Sequence, residues 1–166
     1  MGPMTTSNNA VLGGLCYVFD FDDEKTIAIF GLADRVVTGA EVSAWLVKEG
    51  EPTYVECPDA VLASFLNGLI TDKRGPRDGP PRPSESEITN NLVMTKLKIA
   101  LAYSGDDVMA ALASAGQRMS KHELSALYRK PGHKHFRKCS DEVLFGFIEG
   151  LQKKYRPEPT PAGAAP

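Results

Sequence analysis

The sequence predicts an all-α protein built as two tandem four-helix repeats related by a pseudo-twofold duplication, and three observations carry that prediction. Residues 7–74 align with residues 89–156 at a constant offset of 82, without a gap. Each copy places apolar residues three and four apart, the spacing of one helix face. No stretch alternates apolar and polar residues as a half-buried strand does.

The duplication is read from identical pairs: Asn8/Asn90, Asn9/Asn91, Glu41/Glu123, Gly50/Gly132, Cys57/Cys139, Asp59/Asp141, Phe65/Phe147 and Gly68/Gly150. A period this long marks a duplicated domain rather than a solenoid. The chain therefore divides into a first repeat at 7–74, a segment at 75–88, a second repeat at 89–156 and a tail at 157–166. "GPRDGPPRPSESEI" (75–88) holds four prolines and two glycines and reads as a semi-stiff, unstructured linker. "PEPTPAGAAP" is too poor in large apolar residues to fold and is expected to be disordered.

Within each repeat the first helix is expected from about Asn8 to Phe19, burying Leu12, Leu15 and Phe19; its twin buries Met94, Leu97 and Leu101. A second helix starts behind Asp22 or Ser104 and buries Ile27 and Phe30, or Val108 and Leu112. The third has the clearest start signal. "TGAE" (38–41) and "SKHE" (120–123) each set a hydroxyl cap against a glutamate three residues on, a capping box. It buries Val42, Trp45 and Leu46, or Leu124, Leu127 and Tyr128. The fourth begins near Pro58, taken as a first helical residue, and carries Val61, Leu62, Phe65 and Leu69 on one face. A repeat of this size is marginal alone, which favours docking of the two on shared apolar surface, with two independent repeats on the linker as the alternative.

Composition excludes several classes. Three cysteines (Cys16, Cys57, Cys139), none in a C-x-x-C, argue against a disulfide framework. No apolar run approaches the ~18 residues of a membrane span, and the N-terminus lacks a secretion signal. The expectation is a soluble, cytoplasmic protein with no membrane partner. There is no Gly-rich phosphate loop, nucleophile elbow or His–Glu zinc helix. No catalytic residue and no cofactor are therefore expected, and an enzyme ranks behind a binding protein.

The chemistry concentrates in "RKPGHKHFRKC" (129–139), where two of the three histidines lie among lysines and arginines. Lys130-Pro131-Gly132-His133 suits a type II turn. His122, His133, His135 and Cys139 offer zinc-type donors. Their spacing is poor, however, and the crowded cations oppose a metal ion, so no metal site is expected. Cys139 at a helix start could be activated as a thiolate, but its twin Cys57 has no histidine nearby in sequence, and a small structural residue is the plainer account. Asn8-Asn9 and Asn90-Asn91 are read as helix caps, with contacts to a ligand or across the repeats as the alternative. The acidic "DFDDE" (20–24) complements a helix dipole without needing a cation.

Charge separates the repeats. The first has 5 Lys and Arg against 11 Asp and Glu, a balance of −6; the second has 12 against 6, a balance of +6. The loop "VKEGEPTYVEC" in the first repeat stands where the second has its basic loop. Gly116 followed by a Ser120-capped helix with Lys121, His122, Ser125 and Arg129 loosely resembles a helix-turn-helix. The first repeat offers Gly39, Ala40 and Val47 there, which cannot hold phosphate, so two-fold readout of DNA by both repeats is not expected. The leading reading is a non-enzymatic binding or regulatory protein. Lys121, His122, Arg129, Lys130, His133, Lys134, His135, Arg137 and Lys138 would contact nucleic acid or an acidic partner. The rival is an interaction module, or a homo-oligomer, in which opposite repeat charges attract.

The doubled pattern of an "NN" helix opening, a D-rich helix start, "S-x-x-E-[VL]-S-A", "KPGH" and "C-x-D-x-V-L-x-x-F-[LI]-x-G-L" resembles a bacterial family of unknown function, DUF1456, the YehS-like proteins. The resemblance covers both repeats. It implies a small duplicated helical protein and brings no activity, substrate or catalytic residue with it. The first repeat departs from the pattern at its acidic loop, which leaves a function resting on that loop to the second repeat.

Overall fold

The structure is a computed structural model that describes residues 7–79 and 83–157. It holds eight helices and no strand among those residues: α1 (Asn8–Phe19), α2 (Asp23–Leu32), α3 (Gly39–Leu46), α4 (Asp59–Arg74), α5 (Asn90–Leu101), α6 (Gly105–Ser114), α7 (Lys121–Leu127) and α8 (Asp141–Tyr155). From residue 158 on, the expected disordered tail lies outside the described residues. None of the helices described is long and apolar enough to cross a membrane.

Helix starts follow the cap chemistry. Asp22 caps α2, and Ser104 and Asp107 form a capping box on α6. Thr38 with Glu41 and Ser120 with Glu123 form the two boxes read from sequence. Two expectations need correction. Pro58 is the cap residue before α4 rather than its first helical residue, and it makes no side-chain cap bond. The caps of α1 and α5 are Ser7 and Thr89, whose hydroxyls accept from Ala10 and Leu92. Asn8 and Asn9 already lie inside the helix, so their amides are free for other work.

Four helices make the centre. α1 lies along α8, α4 along α5, and α1–α4 and α5–α8 close the square. All four run in the same direction. At one end, the Asn8 amide donates to Asp59 Oδ1 (2.7 Å), the Ile88 N–H donates to Asp59 Oδ2 (3.1 Å), and the Asn90 amide donates to Asp141 Oδ1 (2.7 Å). These contacts join the first turns of α1, α4, α5 and α8. At the other end, Lys73 lies over the Phe19 ring (4.6 Å) and the Tyr103 and Tyr155 hydroxyls meet at 2.9 Å. Arg156 reaches Asp20 and the Tyr17 carbonyl, both at 3.0 Å. α2 and α3 flank one side of the square, α6 and α7 the other.

One apolar cluster runs through both repeats, from Val11, Leu12 and Leu15 to Phe147, Ile148 and Leu151. This explains why α4 is buried on every side from Val61 to Ile70. It faces α2 with one flank and α5 with the other, so a single amphipathic stripe could not serve it. Two helix crossings depend on glycine. A Cβ on Gly68 would sit 1.9 Å from the Ile29 carbonyl oxygen, and one on Gly150 would sit 2.0 Å from that of Ala111. The duplicated glycines are therefore where α2 touches α4 and α6 touches α8.

The seam between α4 and α5 carries a polar cluster. Lys96 is 3% exposed, yet its ammonium donates to Asn67 Oδ1 (2.6 Å) and pairs with Glu85 Oε2 (2.9 Å). Glu85 belongs to the connecting segment, which has neither helix nor strand among its described residues. That segment is nonetheless held to the repeats. Besides Glu85, Ser84 shares a hydrogen bond with Ser64 (2.8 Å), and Ile88 is tied to Asp59.

Candidate functional site

The basic loop is presented by one asparagine. Asn91 donates to the Leu127 carbonyl (3.1 Å) and the Arg137 carbonyl (2.7 Å), and its Oδ1 accepts from the Cys139 N–H (2.8 Å). Both ends of the loop between α7 and α8 are thus stapled to α5 by a single amide. Asn9 does the same in the first repeat, with the Trp45 and Val55 carbonyls and the Cys57 N–H. The expectation that these asparagines cap their helices is therefore replaced. They satisfy buried backbone groups of a distant loop, which would otherwise lose hydrogen bonds on burial.

Within the loop, the His133 N–H donates to the Lys130 carbonyl (2.8 Å) and the Phe136 N–H donates to the His133 carbonyl (2.9 Å). The Lys130–His133 turn is not type II, because Gly132 is not among the glycines at positive φ. Its twin does have that form. Glu51 N–H meets the Lys48 carbonyl, and Gly50 sits at φ +100° in the third position. The two loops share an anchor but differ in turn geometry.

The structure gathers four of the sequence-nominated residues, His122, Lys134, His135 and Arg137, around one hollow, while Lys121 lines the separate groove between α6 and α7. Lys121, His122, Arg129, Lys130, His133, Lys134, His135, Arg137 and Lys138 are all exposed, on α7 and the loop after it. Lys121 approaches Asp106 at 3.6 Å, with both side chains open to solvent; such a pair contributes little. The other lysines and arginines of the group form no ion pair among the described residues. His122, Lys134, His135, Phe136 and Arg137 line a shallow hollow of about 180 Å³ there. The His135 ring lies 5.5 Å from that of His133 and 6.2 Å from that of His122. The His133 Nδ1 accepts from the His135 N–H. No group of three or more His, Cys, Asp or Glu side chains among the described residues is placed to hold a metal ion.

Cys139 stands apart from the histidines. It is 1% exposed, and burial followed by the Asp141 charge pushes its thiol up to about 11. Burial likewise raises Cys57 to about 12 and Cys16 to about 11. A thiol so shifted is a poor nucleophile. Tyr128 lines a groove of about 380 Å³ between α6 and α7, with Lys98 over its ring at 5.1 Å. Its hydroxyl is buried without a hydrogen-bond partner among the described residues, and burial pushes the phenol well above its ordinary range.

The α6–α7 connection spans residues 115–120, with Gly116 at φ +81°. α7 presents Lys121, His122 and Ser125 to solvent. Sequence reasoning passed over the Asn91 staple and the Lys96–Asn67–Glu85 cluster. The first was signalled by the repeated Asn pair, the second by a lysine set among Val93, Met94 and Leu97 on an apolar face.

These observations define a class: a helical protein made of two fused four-helix units, each with a loop stapled by an asparagine of its own first helix. The chain belongs to the family described as "Protein of unknown function (DUF1456)", which matches residues 8–75 and 90–156 separately. It is similar to the "Uncharacterized protein YehS" of Escherichia coli (strain K12). The two are 39% identical over 145 residues, covering 87% of this chain and 93% of that protein. No solved structure matches the chain.

Proposed function

We propose that the protein is a non-catalytic binding protein whose second repeat holds a polyanion, nucleic acid foremost, through the basic loop and α7. One observation carries the reading. A rigidly anchored backbone displays exposed cations in the second repeat, while the same anchor in the first displays Glu49, Glu51 and Glu56. The scaffold is common to both and the charge is not, so the basic side chains are not required by the fold.

Binding that neutralises Z phosphates releases counterions and gives a salt slope of about −0.9Z on duplex DNA. The test is fluorescence anisotropy of the full chain with short DNA and RNA at several salt concentrations. Lys130→Ala, Lys134→Ala and Lys138→Ala should each weaken binding across sequences and lower the slope by about 1. No binding at low salt, or slopes unmoved by these changes, overturns the nucleic-acid reading. Capture of an acidic protein from nuclease-treated lysate, lost in the same variants, would then assign the loop to a protein partner.

A further inference from the structure

The parallel run of the central helices puts both stapled loops at the same end of the molecule. Asn8 and Asp59 fix the acidic loop to the first turns of α1 and α4; Asn90 and Asp141 fix the basic loop to the first turns of α5 and α8. The Ile88–Asp59 bond joins the two pairs. This end face is therefore divided by the pseudo-twofold axis, with Glu49, Glu51 and Glu56 on one half and Lys130, Lys134 and Lys138 on the other. All six side chains are exposed. Beside the acidic half Val55 is 52% exposed. Tyr54 there is raised by partial desolvation and then by the Glu49 and Glu56 charges.

We infer that this end face is self-complementary and that its occupant is a second copy of the chain, docked face to face. Take a twofold axis lying in the face, perpendicular to the line joining the loops. Rotation about it sets the acidic half of each copy on the basic half of the other. The contact is isologous, so it closes at two copies. Opposite potentials on facing surfaces steer association and fix register. The charges are solvent-exposed, so the dimer is salt-sensitive: the screening length falls from about 30 Å at 0.01 M salt to about 3 Å at 1 M. The same face explains how the acidic loop has a use although it cannot hold a polyanion. Nucleic acid and the second copy compete for the basic half.

The experiment is sedimentation equilibrium on full-length protein free of nucleic acid, at low and high salt. Wild type is expected to dimerise at low salt and to dissociate at high salt. Glu49→Lys/Glu51→Lys reverses two of the three carboxylates named on the acidic half, and Lys130→Glu/Lys134→Glu reverses two of the three lysines named on the basic half. Each alone should associate at least tenfold more weakly than wild type, and an equimolar mixture of the two should form a one-to-one heterodimer. A wild type that stays monomeric at low salt and high concentration overturns the inference, as does a mixture that stays monomeric. Both faces are exposed, so these variants should fold, which thermal melts check directly. Glu49→Lys/Glu51→Lys leaves the basic loop whole, so its binding to nucleic acid by anisotropy reads the polyanion proposal independently of the dimer.

Discussion

Replacing Gly150 with alanine tests the helix crossing between α6 and α8. The added Cβ would stand 2.0 Å from the Ala111 carbonyl oxygen and 2.6 Å from its carbon. Side-chain Cβ atoms do not approach other atoms closer than 3.0 Å, so the α6 backbone must retreat by about 1 Å from α8. A carbonyl in mid-helix cannot rotate away as a flexible side chain would. Overpacking of this kind costs typically ~1–3 kcal/mol, and a backbone obstacle belongs at the upper end. Alanine regains ~1 kcal/mol of helix propensity over glycine. The net expectation is a loss of ~2 kcal/mol, read as a lower urea midpoint at unchanged m-value. Gly68→Ala should behave alike, since its Cβ meets the Ile29 carbonyl at 1.9 Å. Gly13→Ala is the control. Its nearest neighbour is Leu46 Cδ2 at 3.9 Å, ordinary contact, so the change should be neutral or stabilise by up to ~1 kcal/mol. A Gly150→Ala protein as stable as wild type would refute the close approach of α6 to α8.

Four further outcomes are expected. Asn91→Ala leaves the Leu127 and Arg137 carbonyls and the Cys139 N–H without their partner, and should cost at least ~1–3 kcal/mol by urea denaturation; a loss under half that would mean the loop is held otherwise. Tyr128→Phe removes a buried hydroxyl that has no partner among the described residues, so the protein should be unchanged or more stable, and a clear loss would show that the hydroxyl is satisfied. The three buried, raised-pKa thiols should label with a thiol reagent at pH 8 only on unfolding; rapid native labelling of Cys139 would contradict its burial. Burial works to raise the Glu85 carboxyl, but the Lys96 hydrogen bond and charge, with the backbone and Asn67 hydrogen bonds, together outweigh it and hold the group below its ordinary 4.5. Its stabilising effect is therefore fully present above pH 4.5 and lost as pH falls through the lowered folded value. The stability gap between wild type and Glu85→Gln should close in that acid range, and a gap constant from pH 6 to 3 would exclude the pair's role.

The helices were legible because their signals are local. Thr38 with Glu41 and Ser120 with Glu123 announce their helices within four residues, and the structure has both boxes. The asparagine pairs were misread for the same reason. A cap rule looks only at neighbours in sequence, whereas Asn9 works on groups that lie between 36 and 48 residues away. The repeat itself held the missing information: Asn8, Asn9, Cys57 and Asp59 all recur at the offset of 82, and these are the residues that bond one another. Lys96 was invisible for a different reason. Its twin position is Gly14, so comparison of the repeats could not reveal a cluster that exists at one seam alone. The basic loop was legible as charge. Its anchoring and its side-by-side position with the acidic loop follow from the parallel helices, which no local pattern encodes.

The parallel run of α4 and α5 also sets a minimum length for the chain between them. α4 ends at Arg74, at the far end of the bundle, and α5 starts at Asn90 beside the beginning of α4. Sixteen helical residues rise ~24 Å. A return over that distance takes at least seven or eight residues at ~3.3 Å each, against the fifteen between Arg74 and Asn90. About half of this connection is thus slack. A deletion that takes it below the minimum cannot simply loosen the fold, since the α4–α5 seam can still be made by lending the second half to another molecule. Two such shortened chains would exchange their second halves, and each would rebuild the same square of helices from two polypeptides.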